Sequence, residues 1–176
     1  MADYQLQVTG EELDQLNSQQ PGQNILINGD KRINQRGFNG NWSGLSDGDY
    51  GYDRWKKAGS NMVQIVEAGN FVNNAVYTLS GDGVADTQIT SPASGNWTIP
   101  VSQSATNIKL EYGEYATVFL PQLISSSLSD CQRYYESGYW SGDASSYLNS
   151  ATGRFYGSFK SEKRVTPSVS VVASGG

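Results

Sequence analysis

Two clusters of aromatic side chains interleaved with short polar ones could bind sugars. An aromatic ring stacks on the apolar face of a pyranose while carboxylates and amides bind its hydroxyl groups, so a site needs apolar walls and a few placed polar groups. We predict these carbohydrate-binding residues: Trp42, Asp47, Asp49 and Tyr50 in one cluster, and Tyr139, Trp140 and Tyr147 in the other. Packing of the same rings between copies of the chain is the competing interpretation.

The side chains give little support to catalytic or metal chemistry. The chain has no His and one Cys, Cys131, which excludes an intrachain disulfide, a Cys- or His-based zinc site and the usual Ser-His and Cys-His nucleophile pairs. The three carboxylates within residues 47–53 could attract a hard cation, but they depart from the EF-hand pattern, so a polar turn is predicted instead. We expect no enzymatic activity, no cofactor and no bound metal.

Composition and charge narrow the class of protein. Of the 176 residues, 37% are hydrophobic and 16% charged, and the remaining polarity comes from Gly, Ser, Asn, Gln, Thr and Tyr, as in surface-exposed β proteins. The net charge of -5 argues against nucleic acid as a partner, because phosphate binding needs a basic face. No stretch approaches the roughly 20 apolar residues of a membrane span. We expect a protein made in the cytoplasm, without membrane insertion.

The elements that would hold the aromatic clusters are mainly strands. Short runs rich in Val, Ile, Thr and Tyr lie between turn residues, which predicts a mainly β protein, a β-sandwich of jelly-roll type. Two short helices are predicted, one over 9–18 after a capping box and one over 126–136 from the spacing of its apolar residues. The predicted strands span residues 24–27, 52–56, 62–67, 75–80, 86–90, 95–99, 107–111, 116–120, 154–161 and 165–172.

This order of elements divides the chain into three segments. Residues 1–22 form an N-terminal helical segment for attachment or trimerisation, because so short a helix is marginal in water without a partner. Residues 23–121 form the β-sandwich domain. Residues 122–176 form a helix followed by a β-rich segment, which we expect to be truncated or completed by neighbouring subunits.

Five short sequence blocks carry a resemblance to a known family. They lie at 24–29, 35–37, 52–55, 109–117 and 131–136, and they read Asn-Ile-Leu-Ile-Asn-Gly, Gln-Arg-Gly, Tyr-Asp-Arg-Trp, Lys-Leu-Glu-Tyr-Gly with Ala-Thr, and Cys-Gln-Arg-Tyr-Tyr-Glu. In this order they resemble bacteriophage tail fibre and related receptor-binding proteins. The resemblance implies a β-rich, homotrimeric virion component that contacts other phage tail or baseplate proteins and the host surface.

Arg residues lie inside three of these blocks, with acidic residues nearby in sequence. Bidentate pairing of such groups would fix the junction between the sandwich and the helix, and we prefer this structural role to an anion-binding one. The Arg residues are Arg36, Arg54 and Arg133, and the acidic residues are Asp30, Asp53 and Glu111. Tyr52 and Trp55 are assigned to the core.

The function that the resemblance implies is that of a tail fibre subunit in the virion, which attaches to polysaccharide on the bacterial surface. A structural tail or baseplate adaptor without receptor contact is the first alternative, and it predicts that the aromatic clusters are buried between subunits. A polysaccharide depolymerase is the second alternative. It would need two carboxyl groups across a cleft, for which Asp82 with Asp86 or Glu111 with Glu114 are conceivable pairs.

Overall fold

Strands dominate the part of the chain that the computed structural model describes, residues 22–138 and 158–170. Its elements are a short 3-10 helix (Trp42–Gly44), strands β1 (Lys56–Ala58), β2 (Asn61–Val66), β3 (Val76–Asp82), β4 (Val84–Thr90), β5 (Trp97–Ser102) and β6 (Thr106–Tyr112), and helix α1 (Ile124–Gln132). The first sheet has the strand order β1-β2-β5 and the second sheet has the order β4-β3-β6, both antiparallel. The prediction of a mainly β protein is confirmed, and the jelly-roll topology stays a prediction.

One hydrophobic core joins the two sheets. Met62 and Val66 of β2 belong to the same buried cluster as Tyr77 and Leu79 of β3. Alternate residues of a strand point to the same face, so each sheet contributes one face to this core. The remaining buried members come from both sheets and from the loops around them: Leu26, Trp42, Trp55, Phe71, Ile99, Val101, Ala105, Ile108 and Leu110.

Strands β2 to β6 match five of the predicted strands, with ends displaced by at most three residues. Three other predicted strands, at 24–27, 52–56 and 116–120, are wrong, although β1 starts at Lys56. Residues 24–27 run beside β6, but most of their backbone hydrogen bonds are made to the side-chain amides of Asn24 and Gln64 and not to a neighbouring strand. Residues 52–54 form a turn in which Arg54 has a φ of 72°, a left-handed conformation that breaks an extended run. Residues 116–120 cross the outer face of the second sheet without pairing.

Helix α1 begins two residues before the predicted start and ends four residues before the predicted end of 136. Residues 158–161 and 165–170, the described parts of the two predicted C-terminal strands, contain no strand. The predicted N-terminal helix at 9–18 lies outside the described residues, as does the rest of both C-terminal strands.

Candidate functional site

The first sequence block closes the edge of β6. The Asn24 side chain donates from Nδ2 to the Ile108 carbonyl and accepts from the Leu110 N–H, both at 2.9 Å. The Ile25 N–H donates to the Leu110 carbonyl at 3.0 Å, and the Ile108 N–H donates to the Gly29 carbonyl at 2.9 Å. An unpaired strand edge attracts other strands, so this block both completes and protects the second sheet.

Asn28 ties the first block to the third. Its Nδ2 donates to the carbonyls of Ile33 and Asp53 at 2.9 and 3.0 Å, and its own carbonyl accepts from Trp55 Nε1 at 2.9 Å. Asn28 has a φ of 58°, which Asn tolerates better than most residues. Trp55 is fully buried, as its assignment to the core predicts.

The second, third and fifth blocks meet at two stacked Arg–Tyr pairs. The Arg36 Cζ atom lies 3.5 Å from the ring centroid of Tyr135, and the Arg54 Cζ atom lies 3.5 Å from that of Tyr134. Arg36 also lies 4.9 Å from the ring centroid of Tyr50. The two Tyr residues are presented by the turn that follows helix α1. Such contacts each contribute about 0.5 to 2 kcal/mol, with the larger values where the cation is desolvated.

Ion pairs hold the two guanidinium groups in place. Buried Asp53 accepts from Arg36 Nη1 at 3.3 Å and from the backbone N–H and side-chain amide of Gln35 at 2.6 and 3.0 Å. Arg54 pairs with Glu67 at 3.5 Å and donates from Nη2 to the Ile65 carbonyl at 2.5 Å. Arg36 therefore pairs with Asp53, one of the predicted acids, but through one nitrogen and not in the predicted bidentate way, while Arg54 uses Glu67, the residue after β2.

The other predicted partners pair elsewhere. Asp30 binds Arg32, and Glu111 binds Lys109 at 3.2 Å. Among the described residues, no carboxylate pairs with the side chain of Arg133, which is exposed. Glu111 is thereby committed to a structural contact, which removes it from the carboxylate pairs considered for polysaccharide cleavage.

A cleft of about 160 Å³, here called the Arg–Tyr cleft, lies at the stacked pairs. It brings together the loop that holds Tyr50, the turn after helix α1 and the described C-terminal residues. Five of the side chains that line it are cationic. Its lining comprises Arg36, Tyr50, Asp53, Arg54, Cys131, Arg133, Tyr134, Tyr135, Lys163, Arg164, Val165 and Pro167.

Trp42 does not belong to this surface, which corrects its assignment as a sugar ligand. Its exposed fraction is 7%, and its ring centroid lies 4.9 Å from that of Phe38 and 6.2 Å from that of Tyr52. A Cβ on Gly51 would lie 2.8 Å from the ring, so the backbone of Gly51 packs against it as well. No sugar can stack on a ring whose surroundings are already filled by protein.

The rest of the first predicted cluster is at the surface. The Asp47 carboxylate accepts the Gly59 N–H at 2.8 Å, and the Asp49 carboxylate accepts the Ser46 N–H at 2.9 Å, so both acids brace the loop that carries Tyr50. Tyr50 is 40% exposed and lines the Arg–Tyr cleft. The second cluster, with Tyr139, Trp140 and Tyr147, lies outside the described residues.

Burial and charge alter the acidity of three groups around the cleft. Burial raises the pKa of the Cys131 thiol to about 12, helped by the nearby Asp53 charge, so the thiol stays protonated at neutral pH. Burial likewise raises the pKa of Tyr134 to about 12. Burial alone would raise the pKa of Glu136, but hydrogen bonds from Lys163 and the Lys160 N–H lower it instead. The Lys163–Glu136 pair, at 2.6 Å, fastens residues 158–170 to the turn after helix α1.

Other candidate chemistry is weaker in the described part of the chain. Asp82 and Asp86 line a second cleft, of about 470 Å³, but Asp82 already accepts hydrogen bonds from Asn107 and Thr106. No group of three or more potential metal ligands occurs among the described residues. No helix within these residues has the length and apolar character needed to cross a membrane.

Tyr134, Tyr135, Lys163 and Arg164 are the site residues that sequence reasoning missed. The two consecutive Tyr residues beside Arg133 in the fifth block could have pointed to Arg–Tyr stacking. Lys163 and Arg164 have no comparable local pattern. Comparison with known protein families, curated proteins and solved structures finds no match for this chain, so its function has to be inferred from its own residues.

Proposed function

We propose that this chain is a phage tail fibre subunit, a homotrimer in the virion that attaches to polysaccharide on the bacterial surface. The observation that carries the proposal is the convergence of the five blocks on which the resemblance rests. They are scattered from residue 24 to residue 136, yet all five belong to one connected hydrogen-bonded and stacked unit, in which the first block bonds to Leu110 of the fourth. The fourth block braces the outer face of the same sheet whose edge the first block closes.

An exposed apolar strip supports assembly into a trimer. The fourth block fixes Thr117, and the residues around and after it point apolar side chains outward. The members of the apolar strip are Tyr115, Val118, Leu120, Leu123 and Ile124, and their exposed fractions are 81%, 79%, 80%, 76% and 57%. Contiguous exposed apolar surface usually marks an interface. Burying each such side chain would contribute about 1.5 to 3 kcal/mol.

We expect the chain to be a trimer at micromolar concentration and the double variant Leu120→Lys/Leu123→Lys to be a monomer. The charged side chains would have to be buried in the interface, whereas in the separate subunit they remain in water. Light scattering gives the mass, which should be three times the chain mass of 19.1 kDa for the parent protein. Val169→Lys, at a site 59% exposed and outside the strip, should leave the trimer intact. A parent protein that is monomeric at this concentration would refute the trimer.

Attachment to polysaccharide predicts that the trimer binds members of an array of bacterial surface polysaccharides. Tyr50→Ala should weaken that binding about tenfold, because aromatic anchors dominate binding energy at such surfaces. Tyr115→Ala, confirmed as trimeric by light scattering, is the matched control and should bind like the parent. A change in binding for Tyr115→Ala alone would move the glycan site away from Tyr50.

A structural tail or baseplate adaptor is the second candidate function. The apolar strip favours it, because exposed apolar surface of this kind usually marks contacts with other chains. The burial of Trp42 removes one of the seven predicted sugar ligands, but it lies within the core of one chain and not between subunits. An intact trimer that binds no polysaccharide on the array would favour the adaptor over the attachment subunit.

A further inference from the structure

The Arg–Tyr cleft concentrates positive charge on an acidic protein. The chain carries a net charge of -5, yet five of the twelve residues that line the cleft are Arg or Lys and only one is acidic. Glu67 and Glu136 neutralise part of this charge through Arg54 and Lys163. With Asp53 included, three acids face five cations, so the cleft keeps an excess of positive charge.

Several donors of these cations remain unused. The Arg54 side chain is only 6% exposed, and its Nε is a buried donor without a hydrogen-bond partner. A buried donor on a charged group that has no partner destabilises the fold, and an acceptor bound beside it would remove that cost. Arg36 contacts Asp53 through Nη1 alone, at 3.3 Å. Arg164 is 46% exposed and lies 3.9 Å from Glu67, a long contact for an ion pair.

The two stacked guanidinium groups are held in fixed orientations. Each lies 3.5 Å from a Tyr ring centroid and is also tied to a carboxylate. The planar fork of an Arg side chain matches the geometry of a carboxylate or phosphate group. Donors that are already oriented lose little entropy when an anion binds, so such a cleft is prepared for an anion.

We propose that the Arg–Tyr cleft is a binding site for a single carboxylate or phosphate group, with Arg36, Arg133 and Arg164 as its accessible donors. The volume of about 160 Å³ is close to that of a cavity that holds one benzene molecule. That space admits one acidic group and not a folded peptide. An acidic sugar and free phosphate share this chemistry. The site stands on the geometry of the cleft and does not require the tail fibre role.

The test is a nuclear magnetic resonance titration of the Arg Nε–Hε signals of the nitrogen-15-labelled protein. The probes are sodium phosphate, sodium glucuronate and glucose, added separately at constant low ionic strength so that screening does not change. Phosphate, glucuronate or both should shift the signals of Arg36, Arg133 and Arg164 in a saturable way, and glucose should not. Saturation by glucuronate alone would show that the site takes the carboxylate of an acidic sugar. Saturation by phosphate alone would show that it takes a phosphate group.

We expect the affinity for the anion to fall about five- to tenfold in each of the variants Arg133→Gln and Arg164→Gln, because each variant lacks one charge-assisted donor. Both side chains are exposed, so both variants should fold. If one of them does not fold, the other still tests the site. Arg32→Gln makes the same change of charge outside the cleft and should change affinity less than about twofold. Linear shifts that sodium chloride reproduces, or equal weakening by Arg32→Gln, would overturn the site.

Discussion

Replacing Glu111 with glutamine is expected to lower the free energy of unfolding by about 3 to 5 kcal/mol, because it leaves the Lys109 charge buried without its partner. Lys109 and Glu111 are 2% and 1% exposed, and Nζ lies 3.2 Å from Oε1. Two buried charges are compatible with a stable fold only while they pair with each other and their remaining hydrogen-bonding groups are satisfied.

The same pair anchors the segment that carries the apolar strip. The Glu111 carboxylate accepts the Thr117 N–H at 2.6 Å and the Thr117 hydroxyl at 2.8 Å. Lys109 donates to the Thr117 hydroxyl and to the Val118 carbonyl. We therefore expect Glu111→Gln to loosen the strip and to weaken assembly as well as the fold.

Urea denaturation followed by circular dichroism measures the effect. The stability of an oligomer depends on protein concentration, so the change is best made in the Leu120→Lys/Leu123→Lys variant, which we expect to be a monomer. Glu114→Gln removes the same charge from an exposed side chain and should change the free energy of unfolding by less than about 0.5 kcal/mol. Replacing both charges, as Lys109→Met/Glu111→Leu, should restore much of the loss. Equal effects of Glu111→Gln and Glu114→Gln would contradict a buried pair.

The strands of the two sheets could largely be predicted, because their determinants are local. Strands β2 to β6 are short β-branched or aromatic runs between turn residues, and the β3–β4 hairpin turns near Gly83, between the predicted strands at 75–80 and 86–90. Residues 24–27 and 116–120 look similar in sequence but are not strands. Most of their hydrogen bonds go to the side chains of Asn24, Gln64, Lys109 and Glu111. Gln64 lies 37 residues from Ile27, and the other three are close in sequence, but the alternation of apolar residues that predicts a strand does not show that a side chain will take up its backbone groups.

The candidate site was less predictable than the fold. The loop around Trp42 has the composition of a sugar-binding surface, but it also contains Phe38 and Tyr52, with which Trp42 forms an aromatic cluster. Whether Trp42 is buried or exposed depends on whether the loop folds its ring against Phe38 and Tyr52, which the composition does not reveal. Arg36 stacks on Tyr135, which lies 99 residues further along the chain. From the sequence alone, the two residues are linked only because both lie in blocks that carry the resemblance.

Gly29→Ala is expected to lower the free energy of unfolding by at least about 3 kcal/mol and the melting temperature by about 10 °C. A Cβ at this position would lie 2.0 Å from the Ile108 carbonyl oxygen, a backbone atom of β6 that cannot rotate away. The first block would have to leave the edge of β6. That movement would break the hydrogen bonds that join Asn24, Ile25 and Gly29 to this strand.

Thermal denaturation of the Leu120→Lys/Leu123→Lys variant is the measurement. Gly44→Ala is the matched control, because a Cβ there would lie 3.5 Å from the nearest atom, a side-chain nitrogen, and it should change stability by less than about 0.5 kcal/mol. If Gly29→Ala does not fold, Asn24→Ala provides a milder test of the same contact and should cost about 1 to 3 kcal/mol. A loss below about 1 kcal/mol for Gly29→Ala would mean that the first block does not close this edge. Close packing against the backbone of β6 would then not explain why the first block has Gly at position 29.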